Sequence, residues 1–246
     1  MASEHIIKSY DQELQRLDNI VAEMGGLAEN QLASAMEAVT KRDSELAMRV
    51  IEGDTKVDDL EREVESLVVR LLALRQPMAR DLRQIVAALK ISTDLERIGD
   101  YAANVAKRSI ALDQGPPVRP VYALPRMARL GGAMIKDVLD AYVERDADKA
   151  IQVWLRDEEL DEMYTSLFRE LLTYMIEDPR NITPGTHLLF MAKNLERIGD
   201  HTTNIAETLY FLVHGTPMTQ ARPKGDRTSL GVTPGPEGLE HAEEER

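Results

Sequence analysis

Apolar residues recur every three or four positions along most of the chain, which is the period of an amphipathic α-helix. Proline and glycine interrupt this period, most strongly in the segment Gln-Gly-Pro-Pro-Val-Arg-Pro at residues 114–120. Asp43 and Asp146, each of which follows an arginine, are expected to cap the helices that they precede. The pattern predicts six long helices, at residues 4–41, 44–75, 78–113, 121–144, 147–177 and 184–213.

The second half of the chain repeats the first. The hexapeptide Leu-Glu-Arg-Ile-Gly-Asp occurs at residues 95–100 and again at residues 195–200, and the Arg-Asp pair at 42–43 reappears at 145–146. A repeat of this length implies two complete three-helix units and not a solenoid. We therefore expect an all-α fold of two tandem three-helix bundles related by an internal pseudo-twofold axis. The first bundle is predicted at residues 1–115, the second at 116–214, and a disordered tail at 215–246.

The third predicted helix of each unit carries oxygen ligands on a face that is apolar in its first turns. Like charges four residues apart repel by a few tenths of a kcal/mol, so such rows need compensation. The glycine inside the hexapeptide costs about 1 kcal/mol relative to alanine, which indicates close approach of another helix or of a metal. The side chains concerned are Glu96, Asp100 and Asn104 in the first unit and Glu196, Asp200 and Asn204 in the second.

The second helix of each unit adds a matching row of acids, Asp54 and Asp58 in the first copy and Asp157 and Asp161 in the second. The common element is therefore acid-x-x-x-Asp on two helices of each unit. Carboxylates from adjacent helices form sites for hard cations, and the duplicated motif predicts one divalent or trivalent metal site per unit, with magnesium or manganese among the candidates. Acids on a solvated helical face remain the alternative interpretation.

Composition removes several classes of function. The chain has no cysteine, which excludes disulfides, thiolate metal sites and cysteine nucleophiles. A formal net charge of −13 disfavours binding to nucleic acid or to an anionic membrane. No secretion signal and no membrane-spanning stretch is evident, so we expect a cytoplasmic protein.

Enzymatic constellations are also missing from the sequence. A di-iron carboxylate site needs Glu-x-x-His pairs, and none of the five histidines has an acid three residues before it. No phosphate-binding loop, Ser-His-Asp set or His-Glu-x-x-His motif is present. We therefore expect a protein that acts by contact with partners and not by catalysis, with a homodimer as its plausible assembly.

The hexapeptide followed by x-x-x-Asn-x-Ala, once in each half of an all-helical chain, resembles the PhoU family, the accessory regulators of bacterial phosphate-specific transport. The resemblance covers about residues 4–214. It implies iron, zinc or similar ions on the acid-x-x-x-Asp motifs. It also implies negative control of the phosphate-starvation response through contact with a sensor histidine kinase and with the ATPase subunit of the phosphate ABC transporter, at the inner membrane face.

The two copies differ near the predicted sites. Asn194 replaces Asp94, Glu207 replaces Lys107, and Tyr164 and Phe168 stand where the first copy has Glu61 and Glu65. These differences predict two sites of unequal charge and unequal affinity for a metal. A metal-dependent phosphohydrolase and a purely structural acidic helical dimer stay open as alternatives.

Overall fold

The computed structural model describes residues 2–117, 122–220 and 222, with side chains from residue 9 onwards. The predicted start of the fourth helix at residue 121, and residues 221 and 223–246 of the predicted tail, lie outside the described residues. Within the described part the chain is helical. The helices are α1 (Ala2–Lys41), α2 (Ser44–Gly53), α3 (Thr55–Arg75), α4 (Ala79–Asp113), α5 (Leu124–Glu144), α6 (Ala147–Leu155), α7 (Asp157–Glu177) and α8 (Ile182–His214), and a 3-10 turn at Pro179–Asn181 precedes α8.

Two of the six predicted helices are each divided in the structure, so the prediction of single helices over 44–75 and 147–177 is wrong. The amide of Val57 bonds to the carbonyl of Asp54 at 2.9 Å, and the amide of Arg156 bonds to the carbonyl of Val153 at 3.1 Å. These are i to i−3 bonds, which tighten the chain for one turn and interrupt the α-helical ladder. The apolar period continues across both breaks, which is why the sequence pattern did not reveal them.

The breaks have a consequence for the acids. Asp54 becomes the N-cap residue of α3, and Asp157 becomes the first residue of α7. Both acids therefore lie at a helix start, where the partial positive charge of the unpaired amides favours a carboxylate. The two repeats share this arrangement although only the first has a glycine, Gly53, at the break.

The predicted helix caps are confirmed in both repeats. The Asp43 side chain accepts a hydrogen bond from the amide of Leu46 at 2.9 Å, and the Asp146 side chain accepts one from the amide of Lys149 at 3.0 Å. The residues before them, Arg42 and Arg145, have φ of 55° and 57°. The turn between α1 and α2 and the equivalent turn between α5 and α6 therefore each begin with a residue in the left-handed conformation.

The two repeats pack into one continuous core. The last helix of each repeat is long, and these two helices, α4 and α8, lie against each other at the centre. The first repeat contains α1 to α4 and the second contains α5 to α8, in the order expected of two tandem helical bundles related by a pseudo-twofold axis. The predicted apolar stripe of α4 is fully buried and comprises Ile91, Leu95, Ile98, Ala102 and Val105. The division at residues 115 and 116 stays a prediction. Among the described helices, none is both long enough and apolar enough to cross a membrane.

Candidate metal site

Each repeat gathers four of the predicted acids between two neighbouring helices. We call Asp54, Asp58, Glu96 and Asp100 the first cluster, which lies between the start of α3 and the middle of α4. We call Asp157, Asp161, Glu196 and Asp200 the second cluster, which lies between the start of α7 and the middle of α8. Within each repeat these acids are close enough for their charges to affect one another's pKa.

The glycines in the hexapeptides allow Asp54 to approach α4 and Asp157 to approach α8. A Cβ atom on Gly99 would lie 3.2 Å from Oδ1 of Asp54, and one on Gly199 would lie 3.0 Å from Oδ1 of Asp157. Both separations are shorter than ordinary van der Waals contact, so any larger residue would push against the carboxylate. The prediction that these glycines permit close approach of another helix is confirmed.

The first cluster is half-buried and carries excess negative charge. Burial raises the pKa of Asp54, the charges of Asp100 and Asp58 add to this rise, and a hydrogen bond from Nε2 of Gln31 at 3.2 Å opposes it. Burial, followed by the charge of Asp100, raises the pKa of Glu96 to about 7.

The positive charges near the first cluster come from its surface. Arg97, on α4 itself, contacts Glu96 at 3.3 Å and Asp100 at 3.0 Å, and half of its side chain is exposed. Lys107, which is exposed, lowers the pKa of Asp54. Such exposed ion pairs contribute little, because water screens them.

The second cluster is more deeply buried, with Asp157, Asp161 and Glu196 only 1%, 3% and 4% exposed. Its counter-charges come from two side chains of the same chain. Nε and Nη2 of Arg222 donate to Oδ2 of Asp157 at 3.0 and 2.7 Å, and Nη2 also contacts Oδ1 of Asp200 at 2.7 Å.

Lys193 supplies the other positive charge of the second cluster and donates to Oε1 of Glu196 at 2.8 Å. Burial raises the pKa of Glu196 to about 7 despite this bond. Burial likewise raises the pKa of Asp157 to about 6, although Arg222 acts in the opposite direction.

Four buried oxygens in and beside the clusters lack a hydrogen bond from the described residues. They are Oε1 of Gln31 and Oε2 of Glu96 in the first repeat, and Oδ1 of Asp157 and Oε2 of Glu196 in the second. Leaving a buried acceptor without a hydrogen bond costs about 1–3 kcal/mol, so a ligand that supplies positive charge would stabilise these atoms. Oε2 of Glu96 also lies 3.3 Å from Nε of Arg97. An all-oxygen donor set fits a hard cation. As the side chains stand, no three acids or histidines of the described residues converge on one point, so side-chain rotation is needed to form a complete metal site.

The neighbouring asparagines take different positions. Asn104 is partly buried on α4. Nδ2 of Asn204 donates to Oδ1 of Asp94 at 3.3 Å, and Nδ1 of His201 lies 2.8 Å from the same oxygen. Asp94, one of the residues by which the two repeats differ, therefore joins α4 to α8 and does not belong to a cluster.

Sequence reasoning did not predict the side chains that contact the clusters, among them Gln31, Lys193 and Arg222. Gln31 is one of several polar residues of α1. Lys193 lies two residues before the second hexapeptide, where the first repeat has Thr93. Arg222 belongs to the predicted disordered tail, and no repeat or period singled it out. In the structure Met218 packs against the core and Arg222 reaches the second cluster.

The fold and the two clusters together define an all-helical protein of two tandem repeats with one acidic site in each. The PhoU domain matches this chain twice, at residues 21–109 and 124–209. The chain belongs to the PhoU family.

Several known proteins are similar over nearly their whole length. A phosphate-specific transport system accessory protein PhoU homolog of Caulobacter vibrioides is 53% identical over 225 residues, which cover 91% of this chain and 98% of that protein. The homolog of Rhizobium meliloti is 50% identical over 230 residues, or 93% of this chain and 97% of that protein. The crystal structure of PhoU from Pseudomonas aeruginosa has a TM-score of 0.82 at 41% identity, and it covers 84% of this chain and 100% of that chain.

Proposed function

We propose that this protein is the accessory regulator of a phosphate-specific transport system, and that it restrains the phosphate-starvation response when phosphate is ample. The observation that carries the proposal is the similarity, over both repeats, to a relative named as a phosphate-specific transport system accessory protein. The protein works by contact with a sensor histidine kinase and with the ATPase subunit of the transporter. It is cytoplasmic and reaches the inner membrane face through these partners.

Exposed apolar side chains support a role in contact with partners. The end of the first bundle, where α3 meets α4, exposes Val69, Leu74 and Met78 at 66%, 68% and 79%. The matching end of the second bundle exposes Ile176 at 81% and Ile182 at 51%. Apolar groups of this kind at the surface mark interaction sites, and a second copy of the chain is a further candidate partner.

Metal binding by the two clusters is the second part of the proposal. Asp54, Asp58, Glu96 and Asp100 would hold one centre, and Asp157, Asp161, Glu196 and Asp200 the other, with Asn104 and Asn204 as neighbouring candidates. A bound iron, zinc, manganese or magnesium ion would supply positive charge that neutralises repelling carboxylates. The acids would then join α3 to α4 and α7 to α8, and would stiffen the surface that partners contact.

A genetic complementation experiment tests the regulatory role. Deletion of the gene is expected to leave phosphate-starvation genes active in phosphate-rich medium, and the wild-type gene is expected to restore repression. Normal repression in the deletion strain contradicts the assignment. The double variant Asp100→Asn, Asp200→Asn is expected to restore repression only in part.

The matched control is the double variant Asp59→Asn, Glu158→Gln. Both residues are exposed acids on the same helices α3 and α7 but outside the clusters. Elemental analysis of the purified proteins should find metal in the wild type and in this control, and less in the cluster variant. Equal, negligible metal in all three proteins contradicts the metal-binding part of the proposal and leaves the regulatory part standing.

A further inference from the structure

The second cluster already holds a cation, which is the guanidinium of Arg222. Three contacts of 2.7 to 3.0 Å join it to Oδ2 of Asp157 and Oδ1 of Asp200. Asp157 is 1% exposed and the Arg222 side chain is 17% exposed, so water screens this pair only weakly. Charge-assisted bonds of this kind are roughly twice as strong as neutral ones.

The chain must fold back along α8 to deliver Arg222. Gly215 ends α8 with φ of 75°, a left-handed conformation that reverses the chain and that glycine adopts without strain. Asp200 lies fifteen residues before Gly215, which is about 22 Å along a helix. Seven residues lead from Gly215 to Arg222 and span roughly 23 Å only when nearly extended. Met218, half-way along, packs against the core, so the return path is anchored at two points.

The first cluster has no equivalent of this arginine among the described residues. There Gln31 of α1 donates to Asp54 from inside the bundle. The offset of 103 residues that relates Asp43 to Asp146 places Met134, which is fully buried, at the position of Gln31. A methionine donates no hydrogen bond, so Asp157 lacks the partner that Asp54 has. Arg222 supplies donors to Asp157 from the opposite, outer side.

Arg222 and a metal ion need the same oxygens. Oδ2 of Asp157 and Oδ1 of Asp200 contact the guanidinium. A metal ion that bound these oxygens while Arg222 remained in place would be strongly repelled, because both groups are positively charged. Behind them, Oδ1 of Asp157 and Oε2 of Glu196 are buried and accept no hydrogen bond from the residues described. The side chains that carry these two atoms are 1% and 4% exposed, so the second cluster has buried acceptors that Arg222 leaves without a hydrogen bond.

We propose that Arg222 is a built-in competitor for the second cluster, so that a divalent cation binds there only when it displaces Arg222 and releases the segment that follows α8. The inference rests on the proposed cation binding by the clusters. It makes the two clusters different in kind. The guanidinium on the first cluster, that of Arg97, belongs to α4 itself and half of its side chain is exposed, whereas Arg222 comes from the segment after α8 and is 17% exposed. Binding at the second cluster becomes coupled to release of Arg222 and of residues 215–220.

The test measures Mn²⁺ binding to the full-length chain by the electron paramagnetic resonance signal of the free ion. The variant Asp100→Asn weakens the first cluster, so that the second is observed by itself. In this background Arg222→Gln is expected to bind Mn²⁺ at least tenfold more tightly, and Arg222→Lys to lie between the two. Arg180→Gln, which removes an exposed arginine that pairs with Asp178, is the matched control and should leave the affinity unchanged.

Hydrogen exchange of residues 215–220, followed by mass spectrometry, gives a second readout. These amides should exchange faster in Arg222→Gln than in the wild type without metal, and Mn²⁺ should accelerate exchange in the wild type alone. Equal Mn²⁺ affinity with and without Arg222, while the first cluster binds Mn²⁺, overturns this inference and leaves the proposed function intact. Failure of Mn²⁺ to bind either cluster in any variant overturns the metal part of the proposed function together with this inference.

Discussion

The first and second clusters are built from the same acids on equivalent helices, yet they balance their charge in different ways. The first is half-buried and relies on the amide of Gln31 and on two arginines at its surface, Arg62 and Arg97. The second is buried and relies on two cations of its own chain, Lys193 and Arg222. The comparison shows that a duplicated acid motif does not by itself fix the chemistry of a site, because the counter-charges come from residues outside the motif.

The two glutamates illustrate this difference. Burial raises the pKa of both Glu96 and Glu196 to about 7. At both glutamates burial is the main cause and a neighbouring acid, Asp100 or Asp200, adds to the rise in pKa. The opposing group differs, because Glu96 has only the charge of Arg97 whereas Glu196 accepts a hydrogen bond from Lys193. Equal pKa values thus conceal unequal surroundings, and substitutions are needed to separate them.

The largest expected effect comes from the buried aromatic residue near the end of α6. Trp154 is 1% exposed, and its Nε1 donates to Oε1 of Glu207 at 2.9 Å. Its counterpart in the first repeat, Ile51, is only partly buried. Trp154→Ala should lower the free energy of unfolding by about 3–5 kcal/mol and Ile51→Ala by about 1–2 kcal/mol, because less buried volume is lost. Urea denaturation followed by far-ultraviolet circular dichroism measures both.

Trp154→Phe separates packing from the hydrogen bond in that comparison. It keeps an aromatic ring and removes only the donor to Glu207, so it should cost less than the alanine variant. Equal losses for Trp154→Ala and Ile51→Ala would show that α2 and α6 are packed equally well in the two repeats.

The pH dependence of stability gives the next largest effect. A carboxyl group whose pKa is raised by folding binds more protons in the folded state, so stability is present below its unfolded pKa and is lost as the pH rises through 7. Glu196→Gln, measured with chelator present, should therefore match the wild type near pH 5 and exceed it by about 1–3 kcal/mol at pH 8. Glu96→Gln should show the same sign with a smaller gain, since its side chain is 15% exposed against 6% for Glu196.

A wild type that is more stable than Glu196→Gln at pH 8 would contradict the assignment of Glu196 as a buried, unfavourable carboxylate. Thermal unfolding at pH 5, 6, 7 and 8 distinguishes the outcomes. The sign is the opposite of that expected for a carboxylate that is well paired in the folded state.

The helical architecture and the repeat were predictable because both depend on local, periodic features. The apolar stripe around Leu95 is buried as the period indicates, and Asp43 and Asp146 cap α2 and α6 as their position before an amphipathic segment predicts. The acid clusters were predictable for the same reason, since residues four apart share one helical face.

The features that failed to appear in the sequence pattern depend on tertiary contacts. The breaks at Asp54 and Arg156 leave the apolar period intact, so no change of pattern marks them. Arg222 contacts Asp157 across 65 residues of sequence, from a segment rich in proline and glycine that has no period. Gln31 differs from other polar residues of α1 only in what it faces. Such partners are defined by packing, and a single sequence does not contain that information.

The hexapeptide glycines provide a smaller effect that also separates the repeats. A Cβ on Gly199 would lie 2.6 Å from Cδ2 of Leu160, which is fully buried and cannot move aside. A Cβ on Gly99 would lie 2.9 Å from Oε1 of Gln31, the end of a flexible side chain. Gly199→Ala should cost about 1–2 kcal/mol after the gain in helix propensity, and Gly99→Ala should lie within about 0.5 kcal/mol of the wild type.

Gly26→Ala is the control for that pair, because nothing lies within 4 Å of its added Cβ and it lies inside α1. It should stabilise the protein by about 0.5–1 kcal/mol. If Gly99→Ala and Gly199→Ala lowered the free energy of unfolding equally, the space around α4 at Gly99 would be as restricted as the space around α8 at Gly199.

The smallest difference between the repeats is expected at their helix caps, where the structure is the same in both. Asp43 and Asp146 accept hydrogen bonds of 2.9 and 3.0 Å from the amide three residues on. Asp43→Ala and Asp146→Ala should each lower the free energy of unfolding by about 1 kcal/mol, and the two losses should agree within about 0.5 kcal/mol. Urea denaturation of both variants measures this. Clearly unequal losses would mean that the repeats differ in local helix stability as well as in the charges around their clusters. The difference between the repeats would then not be explained by Gln31, Lys193 and Arg222 alone.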